Sequence, residues 1–291
     1  MEISPDDRKH SVFIRGVAAL KEAGIENPAL DAAILLGYVT GEPSDRVLMD
    51  KGSALAPSQT ARYKTLIQER CGRVAVSRLV GIREFYSRNF HITEDVLDPR
   101  PETEILVEQA IRGLQSLEGN PAVLDIGTGS GVIAITVASE IPRARVTATD
   151  ISMMALAVAR RNAMRHSVLE RVKFIQADLL DGIRRGRNFR IILSNPPYIS
   201  CAQFESLQEE VREGDPKVAL VSGPDGTECY PPIVERSMDL LGPGGSLMVE
   251  VGDGQAAAVA GIFEKAGFAD VTVVNDLAGT GRVVKGKKKN A

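Results

Sequence analysis

Ala122-Val123-Leu124-Asp125-Ile126-Gly127-Thr128-Gly129-Ser130-Gly131 decides the fold class of this chain. Ala122 to Ile126 is a short, mostly apolar run, and residues 131–140 have helical character. A strand that runs through a glycine-rich turn into a helix opens a βαβ unit. The glycines allow a sharp turn and let a ligand approach the main chain. Their spacing is G-x-G-x-G. A dinucleotide site would show G-x-G-x-x-G. In open α/β sheets such a turn sits at the carboxyl end of a strand, beside a topological switch point where ligands bind. A tight turn without a ligand is the plainer alternative.

Strands and helices keep alternating downstream. Strands are expected at Arg145 to Thr149, Val172 to Ile175, Arg190 to Ser194, Ser246 to Val251, 270–275 and Arg282 to Val284. Helices are expected at 152–165, 231–241 and 255–266. This alternation implies a parallel sheet with helices on both faces.

Upstream the pattern is different. Val12, Val17, Leu20 and Ala23 recur at helical spacing, with Gly24 as a stop. Asn27-Pro28 opens a second helix, and Pro57-Ser58 opens another that carries Tyr63, Leu66 and Ile67. Leu79-Val80-Gly81 and Phe85 to Ile92 carry β-favouring residues around a glycine, which predicts a hairpin. Pro99-Arg100-Pro101-Glu102-Thr103-Glu104 starts a helix, because Pro suits a first turn and acids suit the positive dipole end. The expected organisation is a helical domain over 1–73, a β-hairpin linker over 74–98 and an α/β domain over 99–291.

The bulk composition narrows the function classes. The chain has 291 residues, 44% hydrophobic and 25% charged, with a formal net charge of −3. That balance argues against a protein whose affinity comes mainly from neutralising nucleic-acid phosphates. The clusters Arg184, Arg185, Arg187 and Lys285 to Lys289 are expected to be solvated surface and a frayed tail. Three scattered cysteines and three histidines, with no C-x-x-C spacing, indicate neither a disulfide framework nor a metal site. Met1 to Arg8 lacks the layout of a signal peptide, and no apolar run reaches membrane-span length. A cytoplasmic location is expected.

Two acids extend the glycine loop into a nucleoside site. Asp150 ends the second strand, where an acid can accept both ribose hydroxyls. It could equally cap the helix over 152–165. Asp178 follows the third strand, where it can accept from an adenine amino group with Leu179 against the ring. A loop acid is the alternative there. After the fourth strand comes Asn195-Pro196-Pro197-Tyr198. Neither proline has an N–H for a ladder, and both have nearly fixed φ. The stiff turn can hold an amide and a phenol in defined directions. It suits gripping a planar nitrogen group and presenting that nitrogen to an electrophile.

In this order, the glycine loop, the two acids and N-P-P-Y resemble the class I S-adenosylmethionine-dependent methyltransferases. Pro99 to Glu104, Ala219 to Gly226 and Asp276 to Val284 narrow the resemblance to the peptide chain release factor glutamine methyltransferases (the PrmC/HemK family). The family usually carries an apolar residue where Asp98 stands. The resemblance implies a Rossmann-like domain with a mostly parallel seven-stranded sheet and a small N-terminal helical bundle joined by a β-hairpin. It implies methyl transfer from S-adenosylmethionine, leaving S-adenosylhomocysteine, to the glutamine side-chain amide in the Gly-Gly-Gln loop of bacterial class I release factors. A monomer with neither nucleic acid nor membrane as a direct partner is expected.

The cofactor residues would be Gly127, Thr128, Gly129, Ser130, Gly131, Asp150, Asp178, Leu179 and Asn195, with Arg100, Thr103 and Glu104 adjacent. Asn195, Pro196, Pro197 and Tyr198 would bind the substrate. The Asn195 side chain and the Pro196 carbonyl would accept the two amide hydrogens, and Tyr198 would pack on the amide plane. Adenine methylation of DNA or RNA, with Tyr198 stacked on a flipped base, is the main alternative. Methylation of a ribosomal-protein glutamine and a silent cofactor-binding adaptor are the others.

Overall fold

The computed structural model describes residues 8–49, 52–184, 186 and 188–290, without the side chain of Leu48. The N-terminal stretch Met1 to Asp7 and two arginines of the basic cluster, Arg185 and Arg187, lie outside the described residues. Two compact units are present. One runs up to Ile82 and includes the distant segment Gln208–Gly214; the other holds Arg83–Leu207 and the chain from Asp215 onward.

The first unit contains α1 (Lys9–Glu22), α2 (Pro28–Thr40), α3 (Ser44–Met49), α4 (Pro57–Cys71) and α5 (Val76–Val80). Its core gathers Val12, Leu20, Leu35, Leu36, Tyr63 and Leu66, which recur at helical spacing along α1, α2 and α4. A Cβ at Gly16 would lie 2.2 Å from the Tyr63 hydroxyl oxygen, so this glycine makes room for the tyrosine. α5 departs from expectation, since Leu79 and Val80 end a helix instead of forming a strand. Extended Ala75 before it and left-handed Gly81 after it, at φ 67°, close a single turn that β propensity alone does not reveal.

Arg70 ties this unit together. Its Nε donates to Asp31 Oδ2 and its Nη1 to Glu210 Oε1, both at 2.7 Å. Arg70 and Asp31 are buried. Arg70→Met would leave buried Asp31 without its cation and Glu210 with Arg73 alone, 3.6 Å away. The expected loss is about 3–5 kcal/mol of unfolding free energy, seen as a lower denaturant midpoint. A loss below about 1 kcal/mol would mean the network contributes no more than a surface pair.

The second unit starts with a hairpin, β1 (Ile82–Phe85) and β2 (Arg88–His91), turning through Tyr86 and Ser87. Both turn residues have positive φ, 51° and 56°, as the type I′ form of a two-residue hairpin loop requires. The chain continues through α6 (Thr103–Gln115), β3 (Ala122–Ile126), α7 (Val132–Glu140), β4 (Arg145–Asp150), α8 (Met153–Arg165), β5 (Val172–Gln176) and β6 (Phe189–Ser194). Three short helices follow: α9 (Cys201–Phe204), α10 (Glu209–Gly214), which belongs to the first unit, and α11 (Lys217–Leu220). The last elements are α12 (Tyr230–Leu240), β7 (Leu241–Glu250), α13 (Ala256–Lys265), β8 (Ala269–Asn275) and β9 (Gly281–Lys287).

The seven-stranded sheet has the order β5-β4-β3-β6-β7-β9-β8, parallel except where β9 pairs antiparallel with β7 and β8. Its strands bury both faces. Val123, Leu193 and Met248 pack into one core with Ala110 and Leu114 of α6 and Ile135 of α7. Leu124, Ile192 and Leu247 pack into the other with Ile233 of α12 and Phe263 of α13. Neighbouring residues thus serve opposite cores, which is why these strands read as unbroken apolar runs. The helix-covered α/β architecture matches expectation. The lysine tail does not fray as expected. Lys285 and Lys287 lie in β9, and Lys288 Nζ donates to the Met238 and Leu241 carbonyls at 2.6 and 2.8 Å. Backbone pairing and these carbonyl acceptors hold it. Among the described residues, no helix is long and apolar enough to cross a membrane.

Candidate active site

The strand order reverses at β3, which has β4 on one side and β6 on the other. Three loop ends converge there at the carboxyl edge of the sheet. The loop after β3 is a chain of left-handed glycines, with φ of 69° at Gly127, 55° at Gly129 and 86° at Gly131. A Cβ on Gly127 or Gly129 would meet nothing within 4 Å, so backbone conformation is what demands glycine there. At Gly131 a Cβ would lie 2.7 Å from Ile135 Cδ1 and 3.1 Å from Ala159 Cβ, so crowding between α7 and α8 adds to the demand.

Thr128 and Ser130 are buried. Thr128 Oγ1 donates to Asp125 Oδ2 at 2.6 Å, and the Ser130 carbonyl accepts from Asn162 Nδ2 at 2.8 Å. Burial pushes Asp125 up to about 7, against the bonds from Thr128 and the Ala134 N–H. These residues set the loop from below, while Gly127 and Gly129 leave bare main chain on the cavity side.

A cavity of about 270 Å³ opens above this edge, lined by Gly127, Gly129, Asp150, Asp178, Leu179 and Asn195 among others. Asp150 Oδ2 accepts from the Gly129 N–H at 2.8 Å and Oδ1 from the Ser152 N–H at 2.9 Å. Each oxygen keeps a lone pair for a further donor. Asp150 does not cap α8; Ser152 does, its Oγ accepting from the Ala155 N–H at 3.1 Å. Asp178 is exposed at the cavity rim, and Leu179 holds a left-handed φ of 48°. The Thr149 hydroxyl holds the Leu179 carbonyl at 3.2 Å. A left-handed leucine is uncommon, and such strain gathers at ligand sites.

Asn195-Pro196-Pro197-Tyr198 leaves β6 at the opposite wall. Ser194 still pairs with Ile126 and Val249 in the sheet, so the sheet itself places Asn195. Asn195 Nδ2 donates to Thr103 Oγ1 at 3.1 Å. Its Oδ1 is buried and has no partner among the described residues. Pro197 lines the cavity. The Tyr198 carbonyl accepts from Gln255 Nε2 at 2.9 Å, and a Cβ at Gly252 would come within 3.0 Å of the Tyr198 ring. Burial, with the Glu250 carboxylate adding to it, pushes the Tyr198 phenol up to about 12, so it stays neutral.

Arg100, Thr103 and Glu104 have partners of their own. Arg100 Nη2 pairs with Asp215 Oδ2 at 2.7 Å, and Glu104 Oε1 accepts from the Tyr86 N–H at 2.8 Å, which fixes the hairpin turn. Thr103 stands between Asn195 and Glu250. Asp98 is buried, with Oδ1 3.6 Å from Arg83 Nε, and its N–H donates to Asp215 Oδ1. A local ion pair thus explains the acid at this position.

Several site residues carried no sequence signal. Asp95, Val96 and Leu97 line the cavity from the stretch after β2, and Pro216 and Val218 line it from around α11, beside Ala219 of the stretch that carried the resemblance. Glu250 is 2% exposed. Burial pushes it up to about 7; Thr103, Arg282 and Arg100 oppose the shift and Glu102 adds to it. It closes the apolar strand β7 as Asp150 closes β4, and that shared position was its available signal.

Comparison with known proteins identifies the lineage. Residues 101–213 match the family model "Methyltransferase small domain", and residues 11–81 match "PrmC N-terminal domain". A protein of Rhodopirellula baltica named "Release factor glutamine methyltransferase" is 39% identical over 272 residues, 92% of this chain and 92% of its own. One of the same name from Geobacter sulfurreducens is 40% identical over 280 residues, 96% of each chain. A crystal structure of a methyltransferase from Pyrococcus furiosus superposes with a TM-score of 0.53 at 20% identity, covering 76% of this chain and 99% of its own, a likeness of fold.

Proposed function

We infer the reaction from one premise, that this chain belongs to the release factor glutamine methyltransferase family: it methylates the side-chain amide nitrogen of a glutamine in peptide chain release factors. S-adenosylmethionine, when bound, supplies a methyl group on a sulfonium as the electrophile. We place it across the glycine loop. Gly127 and Gly129 would let it approach the main chain, Asp150 would take the ribose hydroxyls on its spare lone pairs, and Asp178 with Leu179 would face the adenine. The cavity suits a nucleoside, having bare backbone on one side and acceptors on the other.

The observation that supports the amide substrate is the buried Asn195 Oδ1 without a partner. An orphaned buried acceptor costs stability unless a ligand satisfies it. A primary amide carries two N–H groups, which Asn195 Oδ1 and the Pro196 carbonyl would accept. The prolines fix both acceptors in advance. Amide nitrogen is a poor nucleophile because its lone pair is delocalised into the carbonyl. Alignment with the breaking bond is therefore what the protein can best supply, up to roughly 7–11 kcal/mol in favourable cases. Tyr198 would pack on the amide plane. We assign no general base among Glu205, Glu209 and Glu210, because the nitrogen can shed its proton after transfer.

Labelled methyl transfer into release factor and into adenine-containing nucleic acid, run side by side, tests this reading. Label entering release factor alone is expected; label in the nucleic acid alone contradicts it.

We further assign the helical unit to docking the release factor. Deleting residues 1–73 is expected to raise the apparent KM for whole release factor about tenfold, the equivalent of about 1.4 kcal/mol. A short Gly-Gly-Gln peptide should feel much less. An equal effect on both substrates would make the unit structural only.

A further inference from the structure

The stiff turn after β6 is anchored differently at its two ends. At Asn195 the sheet holds it, through the pairing of Ser194 with Ile126 and Val249. Beyond the prolines it meets Gln255, the residue just before α13. Gln255 Nε2 donates to the Tyr198 carbonyl at 2.9 Å and to the Gly226 carbonyl at 3.2 Å. Its Oε1 accepts from the Gly252 N–H at 3.0 Å and lies 3.3 Å from the Tyr230 hydroxyl. A carbonyl can only accept and a backbone N–H can only donate. The main chain therefore dictates which end of the Gln255 amide faces Tyr198, and both hydrogens of its NH2 group are used. Two glycines make room for the contact. A Cβ at Gly226 would lie 2.6 Å from the Tyr198 carbonyl oxygen, and one at Gly252 would lie 2.9 Å from Gln255 Oε1 and 3.0 Å from Tyr198 Cδ2. We propose that Gln255 is a positioning residue that fixes the Tyr198 end of the N-P-P-Y turn, and with it the ring that packs on the substrate amide. The proposal rests on the reading that this turn receives a glutamine side chain.

The prolines alone do not fix that end. They set their own φ angles, but Tyr198 keeps ordinary backbone freedom. Holding its carbonyl removes that freedom, and the absent Cβ at Gly252 lets the ring lie close to the main chain. Gln255 touches no reacting atom, so its effect passes through Tyr198. The substrate nitrogen must line up with the breaking bond, so a small displacement of the ring costs rate more than affinity.

The test compares Gln255→Met, Gln255→Glu and Tyr230→Phe with the wild type. Gln255→Met keeps the length of the side chain and loses every bond. Gln255→Glu keeps an acceptor for the Gly252 N–H, but its carboxylate has no hydrogen for the Tyr198 carbonyl. In both, kcat is expected to fall at least about tenfold, because misplacement at a reacting centre is costly. The KM for release factor and the calorimetric affinity for S-adenosylhomocysteine should change by less than about threefold, since uniform binding is untouched. Tyr230 is fully buried, and Tyr230→Phe removes the hydroxyl beside Gln255 Oε1 while leaving both carbonyl contacts. It should lower the melting temperature and keep kcat within about threefold of wild type.

Independently of turnover, ring-labelled tyrosine NMR reads the position of Tyr198. The chain has five tyrosines, so the Tyr198 signal is the one that Tyr198→Phe removes. It should move in Gln255→Met and Gln255→Glu. Wild-type kcat in both Gln255 variants, or an unmoved Tyr198 signal, would overturn the proposal. A loss of rate in Tyr230→Phe equal to that in the Gln255 variants would assign a packing role and also overturn it. If the wild type methylates no release factor, the functional reading falls and the Tyr198 signal decides alone. A moved signal would then support the clamp, and an unmoved one would overturn it.

Discussion

Asn195→Ala is expected to lower kcat by about 10²–10³-fold, the scale seen when one preorganised polar group aimed at a reacting centre is removed. The variant would lose the side-chain acceptor proposed for the substrate amide, the buried Asn195 Oδ1. The backbone acceptor at Pro196 would remain, but the nitrogen could then rotate about a single contact. Misdirection at this point matters because the reaction depends on alignment. Affinity for S-adenosylhomocysteine should stay measurable, since the residues proposed to hold it, Gly127, Gly129 and Asp150, lie at the ends of β3 and β4. Stability should not fall by much, because the orphaned oxygen disappears together with the bond to Thr103. Asn195→Asp is expected to be as inactive, because it would bury a carboxylate where Asn195 Oδ1 already has no partner among the described residues. Methylation of release factor at the wild-type rate by Asn195→Ala would contradict the assigned role.

Asp150→Ala should weaken S-adenosylhomocysteine binding about 100-fold by calorimetry, as two hydrogen bonds to a charged acceptor are lost at roughly 1.5–3 kcal/mol each, partly offset by water. A second effect acts through the loop. Asp150 Oδ2 holds the Gly129 N–H, so its removal frees the glycine turn that forms the cavity floor. Asp150→Asn separates the two effects. Its amide can still accept from one backbone N–H, but its NH2 would oppose the other. An intermediate loss is therefore expected. Unchanged affinity in Asp150→Ala would reject ribose binding at this carboxylate.

The fold was legible wherever chemistry was local. Val123 and Leu124 serve opposite cores, so an unbroken apolar run marks a strand buried on both faces. Gly127, Gly129 and Gly131 take conformations that side chains disfavour, so their spacing announced the turn. Asp150 sits at the carboxyl end of its strand, where the architecture places ligands. Legibility failed where distant segments decide the outcome. Nothing in Gln208–Gly214 signals that it belongs with the helical unit; that follows from Arg70 reaching both Asp31 and Glu210. Val76 to Val80 favours strand by composition, yet Gly81 closes it as a helical turn. Val218 is 60% exposed and lines the cavity only because the chain after Tyr198 returns, with Ile199 bridging Val221.

The most direct measurement is mass mapping of release factor after transfer of a labelled methyl group by the full chain. The account predicts a single methyl on the side-chain nitrogen of the Gly-Gly-Gln glutamine, and none when that glutamine is replaced. A methyl group on any other residue, or undiminished labelling after the replacement, would contradict it.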